Sequence, residues 1–168
     1  VLASVALLTP AVAQSEKKKM LVEASQLVYD NDKNRVSANG NAQVYYDGKV
    51  LEADRVIYDR NTKRVFAEGN VKMTDDKGAI TYSTRLELTD DFKNGFIDSL
   101  RLESPTTVRG EQLNVRFASP RAERTDGQTT TFALGTYTAC EPCKDNPEKP
   151  PFWQVRAAKI IHNSEEKT

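Results

Sequence analysis

The sequence is poor in the residues that carry most chemistry. It has one histidine, one tryptophan and two cysteines in 168 residues. A lone histidine, His162, leaves no Ser-His-Asp arrangement to assemble. No phosphate-cradling glycine loop and no zinc motif is present. Charge is balanced, with 24 Lys+Arg against 24 Asp+Glu, which argues against a nucleic-acid binder, whose affinity rests on a basic face. No apolar run reaches the roughly 18 residues of a membrane-crossing helix, and no helical period persists beyond a turn.

What is present begins with a segment unlike the rest. Val1–Leu8 is apolar, and Ala11-Val12-Ala13-Gln14 has the small-residue pattern of a leader-cleavage site. Residues 1–13 are therefore expected to be a clipped secretory signal peptide, and 14–20, with Lys17, Lys18 and Lys19, a solvated lead-in.

The strongest signal is a repeat. Val22–Val44 placed over Leu51–Met73 gives nine identities in 23 positions, including Tyr29/Tyr58, Asp30/Asp59, Arg35/Arg64, Gly40/Gly69 and Asn41/Asn70. Each unit reads as a hairpin. A strand ends in Tyr-Asp, a polar bend follows (Asn31–Asn34, Arg60–Lys63), and a strand returns as Arg-Val-x-Ala-x-Gly-Asn. Period-two alternation puts Val36, Ala38 and Gly40 on one face, with Val65, Ala67 and Gly69 in register, and the small residues predict close approach of a facing sheet or ligand.

Weaker units follow: Thr84–Leu88 bending at Asp90–Gly95 and returning through Phe96–Leu102, then Gln112–Phe117 and Thr129–Tyr137. Val155–Asn163 aligns with Val22–Asp30, His162 standing where Tyr29 does, and the chain is expected to stop inside a hairpin. The fold class is all-β. Short hairpin strands must cover their apolar faces, which predicts two facing antiparallel sheets in an incompletely closed, V-shaped jelly roll, with a stacked solenoid as the rival.

Cys140-Glu141-Pro142-Cys143 admits three readings: a metal half-site, which lacks a second pair; a redox motif, which lacks a βαβ context; and structural disulfides in an oxidising compartment. Lys144–Pro151, with three prolines, reads as a stiff connector. Trp153 is expected to pack on a neighbouring hairpin, His162 to be structural, and Asp75-Asp76 and Asp90-Asp91 to be solvated turn residues.

Together the leader, the Tyr-Asp hairpins with Gly-Asn returns, and the tail Thr138-Ala139-Cys140…Trp153-Gln154-Val155…Ile160-Ile161-His162-Asn163 resemble the LptA/OstA-like periplasmic domains of lipopolysaccharide transport. The tail tilts the resemblance towards the N-terminal domain of the LptD family. It implies residues 21–139 as the periplasmic jelly roll and 140–168 as the connector towards an outer-membrane β-barrel. It implies no enzyme and no cofactor, but a lipid conduit at the cell outer membrane. The partners it implies are lipopolysaccharide, an LptA bridge docking on a sheet edge, LptE, and the chain's own barrel. Cys140 matches the family cysteine that bonds to the distal barrel. Cys143 departs from the pattern: standing in for a cysteine that precedes the domain in some members, it implies a second bridge, with a local Cys140–Cys143 bridge as the alternative.

The acyl-chain groove is expected to be lined by Val36, Ala38, Val44, Val56, Tyr58, Val65, Ala67, Val71, Met73, Leu86, Leu88, Leu100, Leu102, Leu113, Val115 and Phe117; their other role is ordinary core. Exposing an acyl chain of about a dozen carbons to water costs roughly 10 kcal/mol, which is the reason to shield it. Two other functions fit less well: the soluble bridge protein LptA, and a secreted β-solenoid acting as an adhesin or in polysaccharide processing.

Overall fold

The computed structural model describes residues 19–140, 146, 148–149 and 151–166. Ten strands run in chain order: β1 Leu21–Glu23, β2 Gln26–Asp30, β3 Arg35–Tyr46, β4 Lys49–Asp59, β5 Arg64–Thr74, β6 Ile80–Thr89, β7 Gly95–Val108, β8 Glu111–Thr125, β9 Thr129–Thr138 and β10 Val155–Asn163. All pair antiparallel in one sheet, ordered β1-β3-β4-β5-β6-β7-β8-β9-β10, with β2 also on β3. The chain is thus a meander of hairpins, and the described residues contain no helix. The segment expected as one strand, Val22–Asp30, is broken into β1 and β2 at Ala24-Ser25, where Ser25 N donates to Gly40 O at 2.9 Å.

A single sheet covers its apolar face by folding on itself. Along each strand the inward residues alternate, and the pattern is interrupted once, by a three-residue step that changes parity in β4 and by a four-residue step that keeps it in β3 and β5. In β4 the buried residues are Leu51 and Ala53, then Val56, with Asp54 and Arg55 both exposed between them. In β5, Val65 and Ala67 are followed by Val71, with Glu68 and Asn70 exposed. The β3–β4, β4–β5 and β5–β6 ladders shift register at this level, as β-bulges do. Aligned across the sheet, these slips form a crease. On either side of it the same face stays inward.

Gly40-Asn41 and Gly69-Asn70 occupy that crease with φ of +77° and +46°, and +76° and +47°. The left-handed region suits glycine and asparagine. The repeated Gly-Asn therefore bends the strand, and what approaches the two glycines closely is a side chain of the adjoining segment: an added Cβ would lie 3.0 Å from Ser25 Cβ at Gly40 and 2.3 Å from Asp54 Oδ2 at Gly69.

Register turns the alternation into continuous inner rows. One runs Leu27, Ala38, Val56, Ala67, Leu86, Ile97, Ala122, Phe132, Ile160 from β2 to β10. Beyond the crease another runs Val22, Val44, Leu51, Met73, Thr81, Leu102, Phe117, Tyr137, Val155. A one-residue slip would send a whole strand's apolar set outward, so the rows hold the register. The two half-sheets meet across the interior: the Phe117 ring stacks on Phe132 at 4.9 Å and lies 4.8 Å from His162.

The repeated Tyr-Asp ends each strand for a physical reason. The Asp59 carboxylate accepts from Asn61 N (2.9 Å) and Thr62 N (3.1 Å), closing the bend, and from Arg35 Nε at 2.8 Å. Asp30 accepts from Lys33 N, and Asn163, at the matching position, accepts from Glu165 N and Glu166 N. The Thr62 amide first and Arg35 next hold the Asp59 carboxyl below the usual carboxylate range. Asp59 thus stabilises the fold above about pH 4, and this contribution is lost as pH falls through its depressed folded value. Urea melts should show Asp59→Asn less stable than wild type at pH 7, with the gap narrowing towards pH 3; an unchanging gap would deny the carboxylate this role.

Candidate functional site

The interior is unevenly filled. In the β3–β6 region the inner residues interlock: Val44, Leu51, Val65, Ala67, Leu86 and Leu88 are at most 1 % exposed. The mouth of the fold is shut there by the β6–β7 turn. Phe92, fully buried, points back inside and meets the Tyr46 ring at 5.7 Å. Asp90 N donates to Lys63 O, and the Tyr58 hydroxyl donates to the Asp90 carboxylate at 3.1 Å. Burial first, then Asp90, raises the Tyr58 pKa, so the phenol remains a donor at neutral pH.

Towards β10 the half-sheets part. A cavity of about 530 Å³ lies between them, lined by Met73, Ala79, Leu102, Leu113, Val115, Phe117, Tyr137, Ala139, Val155, Ile160 and Ile161. Its volume is in the range of small-molecule sites, about 300–1,000 Å³. Its rim is polar: Asp75 and Lys77 from the β5–β6 turn on one side, and Arg124, Gln128, Thr130, His162 and Ser164 on the other.

Of the residues expected to line a groove, Met73, Leu102, Leu113, Val115 and Phe117 face this cavity. Ala38, Val44, Val56, Val65, Ala67, Val71, Leu86, Leu88 and Leu100 lie in the filled region or its walls, each at most 3 % exposed. Val36 and Tyr58 are half-buried on the inner row nearest the turns, next to Tyr29, which is 62 % exposed at the free edge. The inner face therefore stays apolar as it emerges at the β2 edge, where Leu27 is 43 % exposed.

Sequence reasoning missed Ile160, Tyr137 and Arg124. Their signal was the inward parity of β8, β9 and β10, readable only once the slip at the crease is known. The turn aspartates are also corrected: Asp75, Asp90 and Asp91 are half-buried, and Asp75 Oδ1 accepts from Lys77 N and Ala79 N. Only Asp76 of the four is solvent-exposed, as expected of all of them. Trp153 lies 5.9 Å from the Tyr137 ring and its carbonyl accepts from Thr138 Oγ1.

Cys140 is half-buried with a free thiol. Cys143, most of the proline-rich connector and the leader lie outside the described residues. Among the described residues no group of His, Cys, Asp and Glu is placed to hold a metal, and no helix is long and apolar enough to cross a membrane.

No family model and no curated protein matches the chain. Among solved structures the fold is similar to LptH of Pseudomonas aeruginosa, described as the LptA-homologous periplasmic component of the lipopolysaccharide transport device. The TM-score is 0.54 at 13 % identity, over 83 % of this chain and 94 % of that one. At that identity the likeness establishes the architecture alone: the chain has the LptA-like fold, an open, all-β, incompletely closed jelly roll.

Proposed function

We propose that this chain is a periplasmic module of lipopolysaccharide transport that shields acyl chains between its two half-sheets and performs no chemistry on them. One observation carries the reading: an apolar inner face, held in register across the whole sheet, emerges at the β2 edge and widens into the cavity beside β10. Such a surface binds hydrocarbon without directional bonds, so the guest can slide. The likeness to LptH supports the same reading.

The free backbone edges of β1/β2 and β10 suit strand addition by a neighbouring LptA-type roll, which would extend the apolar face from one protein to the next. Within this reading, the Cys140 tail and the Trp153…His162 segment favour the N-terminal domain of an LptD protein, delivering its cargo to an outer-membrane barrel plugged by LptE. The LptA bridge is the alternative. A coding sequence running on into a β-barrel, with Cys140 bridged to a distal cysteine on a non-reducing gel, is expected; a stop shortly after Thr168 would favour the bridge.

Photo-crosslinking residues at Val115 and Ile160 are expected to capture lipopolysaccharide in cells, and one at Lys63, on an exposed turn, to capture none. Adducts confined to Lys63 would overturn the conduit.

A further inference from the structure

We propose that Arg124 is an anion-recognition point on the cavity rim, taking a phosphate or similar oxyanion on the polar end of an amphiphile. That the apolar end enters the cavity rests on the function proposed above. Arg124 stands on the inner row nearest the turns, in register with Gly95 and Thr130, and faces the cavity. A charged side chain on an inward row needs a reason, because desolvating a cation is costly unless it is paired.

Its partners do not neutralise it. Nε donates to Phe92 O at 3.1 Å and Nη2 to Gly127 O at 2.7 Å. Carbonyls satisfy two N–H groups and fix the orientation of the plane; of the five guanidinium donors, the others remain for a ligand. Among the described residues no carboxylate lies within ion-pair distance of Arg124. Asp75 and Asp76, from the opposite rim, act on it only at longer range and partly oppose the lowering of its pKa by burial. Asp75 is committed to its own turn through Lys77 N and Ala79 N. Lys77 adds a second cation on the rim.

A planar donor fork held by two backbone carbonyls is pre-organised for a tetrahedral oxyanion. Beside an apolar wall of Val115, Phe117 and Ile160, the attraction is stronger than in water. The rim thus fits a molecule with hydrocarbon at one end and negative charge at the other.

The test is calorimetric titration of the folded chain with dodecyl phosphate and the neutral dodecyl maltoside, each below its micellar concentration, and with inorganic phosphate. Wild type is expected to bind dodecyl phosphate about tenfold more tightly than the maltoside. Arg124→Met should abolish that preference, bringing dodecyl phosphate down to the affinity of the maltoside for the same variant, and Arg124→Lys should keep part of it. If Arg124→Met does not fold, Arg124→Lys and the salt sensitivity of the wild-type preference decide. Equal affinity of wild type for both amphiphiles overturns the assignment of Arg124 and leaves the cavity intact. Failure of wild type to bind either overturns the apolar cavity reading itself. Inorganic phosphate binding as tightly as dodecyl phosphate would uphold the anion site but make a free anion its ligand.

Discussion

Replacing Phe92 by alanine should cost about 3–5 kcal/mol of folding stability, the range for removing a fully enclosed phenylalanine. A turn residue seldom has so large an effect, and the reason here is its direction. Phe92 N donates to Thr89 O at 2.9 Å and its φ is +59°, a conformation that turns the side chain back into the fold. There it is fully buried against Tyr46, a residue at the far end of the opposite half-sheet. The ring thus ties the two lips of the folded sheet together where the strands themselves have ended. Phe92→Leu, which keeps much of the volume, should cost less than about 1.5 kcal/mol. Urea denaturation of both variants checks this. Similar losses would mean that the backbone conformation, and not the buried ring, is what matters.

The difference between Phe92 and its neighbours shows what a linear reading could not supply. Asp90–Gly95 is polar enough to read as a solvated bend, and the strands on either side of it were legible from alternation and from the Tyr-Asp/Gly-Asn repeat. One apolar residue in a turn carries no periodicity, so nothing local tells an exposed Phe from an inserted one. The crease posed the same difficulty. In β3 and β5 it is written as Gly-Asn, but at the same level β6 has Thr84-Arg85, β8 has Ser119-Pro120 and β9 has Leu134, whose φ is +52°. Those later strands bend in register with the earlier ones to which they are hydrogen-bonded, and apart from Pro120, which a regular central strand disfavours, their own sequence marks the bend weakly. Arg124 lies across the crease from Gln112–Phe117, the part of β8 whose alternation is plain, and Ile160 lies across it from Val155, so local alternation places neither of them inward. Leu113, Val115 and Phe117 were found because they all lie on one side of the slip.

The filling of the interior was equally illegible. Val65 and Leu113 look alike in sequence, yet Val65 is fully enclosed while Leu113 faces open space. What separates them is the strand opposite. Near β5 the lips are joined by Phe92, whereas beside β8 the facing positions are a polar rim.

Gly95→Ala is expected to be the most damaging of the glycine-to-alanine changes, costing at least about 3 kcal/mol, at the upper end of what overpacking does. A Cβ built there would lie 1.9 Å from Glu87 O and 2.9 Å from Leu88 Cα, both main-chain atoms of the paired strand, so no rotamer can relieve the clash. The residue also has φ +149°, which side-chain-bearing residues rarely adopt. Gly110→Ala provides the contrast. Its φ is +85° but nothing lies within 4 Å of the added carbon, so only backbone strain of about 1 kcal/mol is expected. Comparing the two urea midpoints separates collision from strain, and equal losses would show that the close β6–β7 approach is not required. The consequence extends to the rim. Gly95 stands between Leu88 and Arg124 on the same inner row and follows Phe92 by three residues. Forcing β7 away from β6 shifts the carbonyl that orients the guanidinium. Gly95→Ala protein that still folds should therefore lose preference for dodecyl phosphate while retaining affinity for the neutral maltoside, because Val115 and Ile160 stand beyond the paired positions that the added methyl displaces.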